Sequence, residues 1–413
     1  MFRFSLRPAT TLWPPVLLGS QFVFNIGFYA VVPFLAIFLR DDMLLSGGLI
    51  GLILGLRTFS QQGMFIIGGA LSDRYGARVI ILCGCIIRVV GYLLLAFGQS
   101  LWPIILGACL TGIGGALFSP SIEALLAKAG TQSEANGKRS RSEWFALFAV
   151  CGELGAVLGP VAGALLTHLG FRQVALAGAG VFVIALMVLY FCLPNSQHHT
   201  RSIKIVPWWT TFRQPRFVAF IIAYSSWLLS YNQLYLALPV EIQRSGGSEK
   251  DLGPLFMLAS VLIIAFQLPL ARLARRVGAV RILPLGFLLL SAAFASVAMF
   301  AASPPPVGWL RLLPAVCLVT LLTLGQMLLV PSAKDLIPGF AEESTLGAHY
   351  GALATAGGVA VLAGNLLFGP LLDNALTPSP QAVYPWLLLA AFPLCSAIAL
   401  TRICRLPPER LNT

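Results

Sequence analysis

The chain has 413 residues, of which 58% are hydrophobic and only 10% carry a charge. Soluble proteins of this size have about 25% charged residues, so the composition excludes an ordinary globular enzyme and indicates a polytopic membrane protein. The formal net charge of +12 would suit a nucleic-acid-binding protein. Cytoplasmic loops of membrane proteins are also rich in Lys and Arg, so the positions of these residues decide the matter.

Twelve apolar segments follow one another along the chain, each long enough to cross a bilayer. Every backbone amide inside lipid needs an internal partner, so each segment is predicted to be a helix. The first segment follows Arg3 and Arg7 and is too long for the apolar part of a signal peptide. The predicted spans are 12–39, 48–71, 79–98, 101–122, 144–168, 172–193, 217–239, 252–272, 281–302, 309–332, 347–372 and 383–404.

The basic residues are distributed unevenly between the two sides of these spans. With the N terminus placed in the cytoplasm, 20 of the 27 Lys and Arg residues fall on the inner side and 5 on the outer side. The remaining two, Arg57 and Arg88, lie within spans. This distribution predicts that both termini are cytoplasmic, and it explains the positive net charge without a nucleic acid.

The longest polar interval, 194–216, divides the spans into two groups of six. We interpret it as a cytoplasmic linker between an N-terminal bundle, 1–193, and a C-terminal bundle, 217–413. Traces of repetition support this division: the pattern Tyr29–Pro33 returns as Tyr235–Pro239, and Pro120-Ser121 returns as Pro331-Ser332. Tandem six-helix halves are a plan used by transporters, with the substrate bound between the halves.

A group of charges and glycines, GALSDRYGAR, follows the second span at 69–78. Gly69 allows another helix to approach closely, and Gly76 permits a tight turn. The carboxylate of Asp73 suits the positive end of a helix. Arg74 and Arg78 suit a carboxylate or a lipid phosphate.

This element resembles the signature of the major facilitator superfamily of transporters. The resemblance implies an all-α membrane protein with twelve transmembrane helices in two six-helix bundles. It also implies that Gly69, Asp73, Arg74, Gly76 and Arg78 form a latch that holds the cytoplasmic side closed during alternating access. The alternative is that the arginines only fix the topology. A degraded copy at Ala271–Arg281 keeps a glycine, Gly278, but has Arg275 in the place of the aspartate.

A second motif, GAVLGPVAGA, lies in the fifth span at 155–164. Gly155, Gly159, Pro160 and Gly163 match the antiporter motif of the same superfamily, which marks exporters that exchange substrate for protons. The alternative is the close packing of helices through small residues, which needs no role in transport. A third signature of the family is incomplete, because Ala108 stands where the family has an arginine.

Three ionisable residues, Arg57, Arg88 and Glu153, are predicted to lie well inside spans. Such residues are costly in a bilayer and are therefore candidates for function. Burial favours the protonated form of a carboxyl group, so we expect Glu153 to carry the coupling proton. The alternative is a structural ion pair between Glu153 and Arg57 or Arg88.

Polar residues in several spans are expected to line the substrate cavity. Arg57 and Gln61 share one helix face because they are four residues apart. The candidate cavity residues are Asn25, Arg57, Gln61, Arg88, Asn232 and Tyr235.

These observations predict a secondary active transporter that resembles bacterial twelve-span multidrug exporters. We expect proton-coupled efflux of small molecules across the bacterial inner membrane, by a monomer that uses the proton gradient and needs no cofactor or metal. The alternative substrate is an endogenous metabolite such as a siderophore, and an importer on the same fold is disfavoured by the second motif. No nucleotide-binding, metalloprotease or hydrolase motif is present, so the chain is not predicted to be an enzyme.

Overall fold

A computed structural model of the protein describes residues 14–45, 47–194, 208–247, 251–306, 308–342 and 344–403. Within these ranges the chain forms thirteen α-helices and no strand. Arg3, Arg7 and most of the predicted linker lie outside the described residues. The helices are α1 Pro14–Asp41, α2 Gly47–Gln62, α3 Phe65–Tyr75, α4 Ala77–Phe97, α5 Leu101–Ala135, α6 Arg141–Thr167, α7 Phe171–Cys192, α8 Pro215–Arg244, α9 Leu252–Val277, α10 Ala279–Ala301, α11 Leu313–Leu336, α12 Leu346–Leu372 and α13 Val383–Ile403.

The helices confirm the prediction of an all-α polytopic membrane protein. Ten of them are long and apolar enough to cross a bilayer, and the other three are α2, α3 and α8. Three helices run five or more residues beyond the predicted ends of their spans. The helix that was expected to end at 122 continues to Ala135, α8 continues from 239 to Arg244, and α9 continues from 272 to Val277.

The second predicted span was also wrong as a single helix, because 48–71 is divided between α2 and α3. The break falls at Gly63 and Met64, where glycine lowers the helix propensity. The hydroxyl of Thr355 bridges the gap, since it donates to the carbonyl of Gln62 and accepts from the amide of Ile66, each at 3.2 Å. One side chain thus satisfies a carbonyl and an amide at the break.

Internal contacts divide the chain into two units. Unit 1 comprises Met1–Thr211 and Ile337–Thr355, and unit 2 comprises Phe212–Leu336 and Ala356–Thr413. Residues 346–355 of α12 therefore belong to unit 1.

The two units have a similar pattern of helix packing. In unit 1, α4 packs against α5 and α7, and in unit 2, α10 packs against α11 and α13. Glycines allow close contact in both, since Gly84 faces Gly114 and Gly286 faces Gly325. The turn before each central helix is also shared, because Gly76 and Gly278 have φ values of 89° and 88°.

A buried ion pair closes the C-terminal end of α8 in unit 2. The guanidinium of Arg244 contacts the two carboxylate oxygens of Glu241 at 2.7 and 2.8 Å, and both side chains are fully buried. Arg244 also donates to the carbonyls of Phe300 and Ser303, at 3.1 and 3.2 Å. The pair therefore joins the end of α8 to the end of α10.

Candidate functional site

The carboxylate of Asp73 binds the first turn of α12. Its two oxygens accept hydrogen bonds from the backbone amides of Gly347 and Ala348, at 2.9 and 2.8 Å. The first amides of a helix have no partner within the helix and carry the positive end of its dipole. The aspartate of the candidate latch therefore satisfies two of these amides with a negative charge.

Glycines allow α3 and α12 to approach closely enough for this contact. A Cβ added at Gly69 would collide with the carbonyl oxygen of Gly347, and one added at Gly351 would collide with the carbonyl oxygen of Phe65. Gly347 in turn is close to Asp73, because an added Cβ would lie 2.9 Å from the carboxylate. Backbone packs on backbone here, and no larger residue fits without moving a helix.

Asp73 lies beyond the predicted span that ends at 71, yet it is partly buried. Burial raises the pKa of its carboxyl group to about 7, while the hydrogen bonds from Ala348 and Gly347 and the charge of Lys128 act in the opposite direction. The contact therefore holds a group that changes its charge near neutral pH.

The other residues of the candidate latch lie at the turn between α3 and α4. Gly76 has a φ of 89°, which an L side chain rarely adopts. Arg78 donates to the carbonyl of Tyr190 at 2.6 Å, and its guanidinium lies 5.2 Å from the ring centroid of that tyrosine. Arg74 is exposed and lies against the ring of Tyr75. Arg78 thus ties the start of α4 to α7, while Arg74 is available to solvent or lipid.

The second motif places a row of glycines on α6 against α1. A Cβ on Gly155 would lie 2.7 Å from the Cβ of Asn25, and one on Gly159 would lie 2.7 Å from the Cβ of Tyr29. A Cβ on Gly163 would collide with the carbonyl oxygen of Ala30. Pro160 lies inside the same helix. Close packing of α6 on α1 is therefore the structural role of this motif.

Glu153 lies on the same helix and is half-buried. The preceding residue, Gly152, faces the side-chain amides of Gln21 and Asn25 on α1, with separations of 3.1 and 3.6 Å from an added Cβ. Asn25 donates to the carbonyl of Gln21 at 2.8 Å. Glu153 thus directly follows a residue that faces amide side chains of α1.

Arg57, Gln61 and Arg88, which were predicted to line the substrate cavity, form one cluster in unit 1. Arg57 on α2 donates to the side-chain oxygens of Gln61 and Thr58, at 3.4 and 3.0 Å. An added Cβ on Gly115 would lie 3.2 Å from the Gln61 amide and 3.4 Å from Nη2 of Arg88. The Gln61 side chain therefore contacts Arg57 and lies beside Arg88.

Aromatic rings surround the two guanidinium groups. The ring of Phe28 lies 5.1 Å from the Cζ of Arg57 and 5.2 Å from that of Arg88. Phe118 and Phe182 contact Arg88 as well, at 5.1 and 4.9 Å. Arg57 is 8% exposed and Arg88 only 2%, and the described contacts of the two include no carboxylate. This part of unit 1 thus holds two buried positive charges.

The remaining candidates for the substrate cavity are not part of this cluster. Asn25 faces α6, on which Gly152 and Gly155 lie. Asn232 and Tyr235 belong to unit 2, where Tyr235 is exposed and stacks on Phe256 with ring centroids 5.4 Å apart.

Sequence reasoning missed Phe28 and two backbone amides of the candidate sites, and also Glu241 of the buried ion pair in unit 2. Phe28 lies in an apolar segment, where a phenylalanine gives no signal of its own. The amides of Gly347 and Ala348 belong to the backbone and leave no trace in the sequence. Glu241 had a detectable signal, since it precedes Arg244 by three residues at the end of a span.

Comparison with known proteins places this architecture in a family. The model of the Major Facilitator Superfamily matches residues 17–365. The chain belongs to the Major Facilitator Superfamily. It is therefore a transporter and not an enzyme.

Relatives within the superfamily cover most of the chain. An uncharacterised transporter of this type from Mycobacterium tuberculosis (strain H37Rv) is 34% identical over 367 residues, which are 87% of this chain and 86% of the relative. The multidrug resistance protein MdtH of Aeromonas hydrophila is 28% identical over 386 residues, 93% of each chain. The crystal structure of the human organic anion transporter MFSD10 shares the fold, with a TM-score of 0.73 at 19% identity, over 94% of this chain and 98% of that one.

Proposed function

We propose that this transporter exports small molecules in exchange for protons across the bacterial inner membrane, with both termini in the cytoplasm. The glycine motif on α6 supports export, because Gly155, Gly159 and Gly163 match the antiporter pattern and each faces α1 closely. The resemblance to MdtH proteins, which are named for multidrug resistance, supports a multidrug type of substrate.

The contact between Asp73 and α12 is the single observation that carries the alternating-access part of this proposal. Two short hydrogen bonds join the carboxylate to the amides of Gly347 and Ala348, which are 274 and 275 residues away in the chain. A charged acceptor makes such bonds roughly twice as strong as neutral ones. The contact acts as a latch, which holds one state and must be released in each transport cycle.

Glu153 supplies the proton-binding group in this mechanism. It is half-buried on α6, two residues before the antiporter motif, and a carboxyl group at this position can bind and release a proton. Proton release on one side of the membrane and uptake on the other would then accompany the movement of substrate.

Inside-out membrane vesicles test the proposal directly. Energised vesicles that contain the transporter should take up dyes or iron chelates, and an uncoupler should abolish this uptake. Vesicles from cells without the protein are the control. Uptake that persists in the presence of the uncoupler would rule out proton coupling, and movement in the opposite direction would rule out export.

A dedicated exporter of an endogenous metabolite is the second candidate. The buried pair of Arg57 and Arg88 favours it, because two positive charges suit an acidic metabolite such as a siderophore. Transport of iron chelates without transport of cationic dyes would favour this candidate over the multidrug type.

A further inference from the structure

Arg57 and Arg88 present an unbalanced charge inside unit 1. Both are buried, and their Nε atoms, together with Nη2 of Arg88, have no hydrogen-bond partner among the described residues. A buried guanidinium normally has a carboxylate or several acceptors around it. Among the described residues, the two guanidiniums have one side-chain amide and one hydroxyl as hydrogen-bond acceptors, and both accept from Arg57.

The aromatic rings around the arginines do not restore this balance. Each cation–π contact contributes less than the cost of removing a charge from water. The two arginines also repel each other, since the ring centroid of Phe28 lies within 5.2 Å of both Cζ atoms. A negative ion between them would cancel the repulsion and accept the unused N–H groups.

We propose that Arg57 and Arg88 form a binding site for an organic anion, which presents a carboxylate or phosphate group to the two guanidiniums and an aromatic or apolar body to Phe28. Phe28 and Gln61 are half-buried, whereas the two arginines are buried, so Phe28 and Gln61 are the more exposed members of the cluster. Gln61 aligns the guanidinium of Arg57 and can donate its own amide to the anion. This inference rests on the proposed function, because it assigns the substrate class of the exporter.

The proposed site also predicts how Arg88 affects the melting temperature of the protein without a bound anion. With no anion bound, the two like charges destabilise the folded state, so removal of one of them relieves the repulsion. Arg88→Gln should therefore melt at the same temperature as the wild type or higher, and bind an anion more weakly. A purely structural arginine, held by three aromatic rings, would instead lower the melting temperature when it is replaced.

The test uses the full-length protein, purified in detergent and held at constant ionic strength. Melting temperatures are measured with increasing 2-naphthoate, with 2-naphthylmethylammonium of the same shape and opposite charge, and with inorganic phosphate. We expect naphthoate to stabilise the wild type and the ammonium compound to have no effect. Arg57→Gln and Arg88→Gln should weaken naphthoate binding about tenfold or more, because each removes charged hydrogen bonds to the anion.

Two further variants serve as controls. Arg57→Lys keeps the charge and should retain most of the affinity. Arg172→Gln removes another arginine of unit 1 that lies on an aromatic ring, 4.5 Å from the centroid of Phe97, and should leave naphthoate binding unchanged.

Three results would overturn the proposal. They are the absence of stabilisation by naphthoate in the wild type, equal stabilisation by the ammonium compound, and a lower melting temperature of Arg88→Gln without ligand. Equal affinity for phosphate and naphthoate would remove the aromatic part of the assignment. None of these measurements requires a proton gradient, so failure of the uncoupler experiment and failure of this one are distinct.

Discussion

Asp73 combines two properties that favour opposite charge states. Its hydrogen bonds to the amides of α12 favour the carboxylate, while its partial burial favours the neutral acid. Because burial is the larger influence, the pKa rises to about 7. A small change in the surroundings of this residue is then enough to change its charge, which suits a contact that forms and breaks repeatedly.

The variant Asp73→Asn should slow the transport cycle more than it weakens substrate binding. An amide keeps one acceptor atom but loses the charge, which costs about 1.5–3 kcal/mol for a charged hydrogen bond. The measurement compares the maximum rate and the substrate affinity in vesicles. A fall in affinity at an unchanged rate would show that Asp73 belongs to the substrate site instead of a latch.

The raised pKa of Asp73 also predicts a pH dependence of stability. The pKa of the folded protein, about 7, is above the ordinary value of 3.8, so the folded state holds the proton more tightly. The stabilising contribution is complete below the ordinary pKa and is lost as the pH rises through about 7. Relative to Asp73→Asn, the melting temperature of the wild type should therefore fall steadily as the pH rises from 5 to about 7 and become constant above that pH. A constant difference across this range would show that the pKa is not raised.

The variant Glu153→Gln should abolish proton-coupled transport while the protein still reaches the membrane. Glutamine has nearly the same shape as glutamate, but it cannot bind and release a proton. Uptake into energised vesicles is compared with the amount of protein in the membrane, and Glu134→Gln, an exposed acid on α5, is the control. Normal transport by Glu153→Gln would exclude this residue from the coupling mechanism.

At the level of helices, the row of Gly155, Gly159 and Gly163 allows α6 to pack closely on α1. Gly159 lies on the backbone of α1, since an added Cβ would come within 2.9 Å of the carbonyl oxygen of Ile26. Gly180 on α7 offers a contrast, because an added Cβ there would meet nothing within 4 Å. The two glycines have the same helical conformation and differ in their surroundings.

This contrast leads to a matched pair of variants. Gly159→Ala should destabilise the protein by about 1–3 kcal/mol, because the methyl group forces α6 away from α1. Gly180→Ala should be neutral or stabilise by up to about 1 kcal/mol, because alanine favours a helix more than glycine does. Denaturation in detergent measures both. Equal effects of the two substitutions would mean that the contact between α6 and α1 contributes nothing to stability.

Sequence patterns predicted most helices but not where the second span breaks. Hydrophobic length and charge positions identified the spans because each helix must satisfy its own backbone in lipid. The break at Gly63 depends on Thr355, which lies 292 residues further along the chain. Its hydroxyl replaces the missing backbone hydrogen bonds. A distant partner of this kind leaves no local pattern.

For the candidate site, the sequence predicted which residues matter but not which residues they contact. The motif at 69–78 indicated that Asp73 meets a helix N-terminus, since an acid between two glycines suits that contact. The sequence could not indicate which helix, because its backbone amides carry no residue-specific signal. Arg57 and Arg88 were recognisable as costly charges in an apolar chain, but their common contact with Phe28 required the fold.

At the scale of the whole molecule, the repeated packing of the two units agrees with the repeated motifs of the sequence. α4 with α5 and α7 in unit 1 corresponds to α10 with α11 and α13 in unit 2. The turn glycines Gly76 and Gly278 have the same backbone conformation, although only the first follows an aspartate by three residues. The two units therefore share the helical framework, but only unit 1 has the acid of the proposed latch.

The proposed topology makes a prediction for the entire chain. Basic residues favour the cytoplasmic side, so alkaline phosphatase inserted at Gln99, in the turn between α4 and α5, should be active outside the cytoplasm. The same enzyme inserted at Gly137, between α5 and α6, should be inactive, and a fluorescent protein fused to the C terminus should fluoresce. Activity at Gly137 with none at Gln99 would reverse the orientation.

The ion pair at the end of α8 bears on how the protein is made. Helices enter the membrane in order during synthesis, and α8 precedes the carbonyls of Phe300 and Ser303, which bind Arg244, by more than 50 residues. Glu241 is only three residues from Arg244, so the two charges can neutralise each other as soon as this turn of α8 has formed. This end of the nascent helix then carries no net charge before α10 has been synthesised. Replacement of Glu241 alone should therefore impair insertion of α8 more than replacement of both residues.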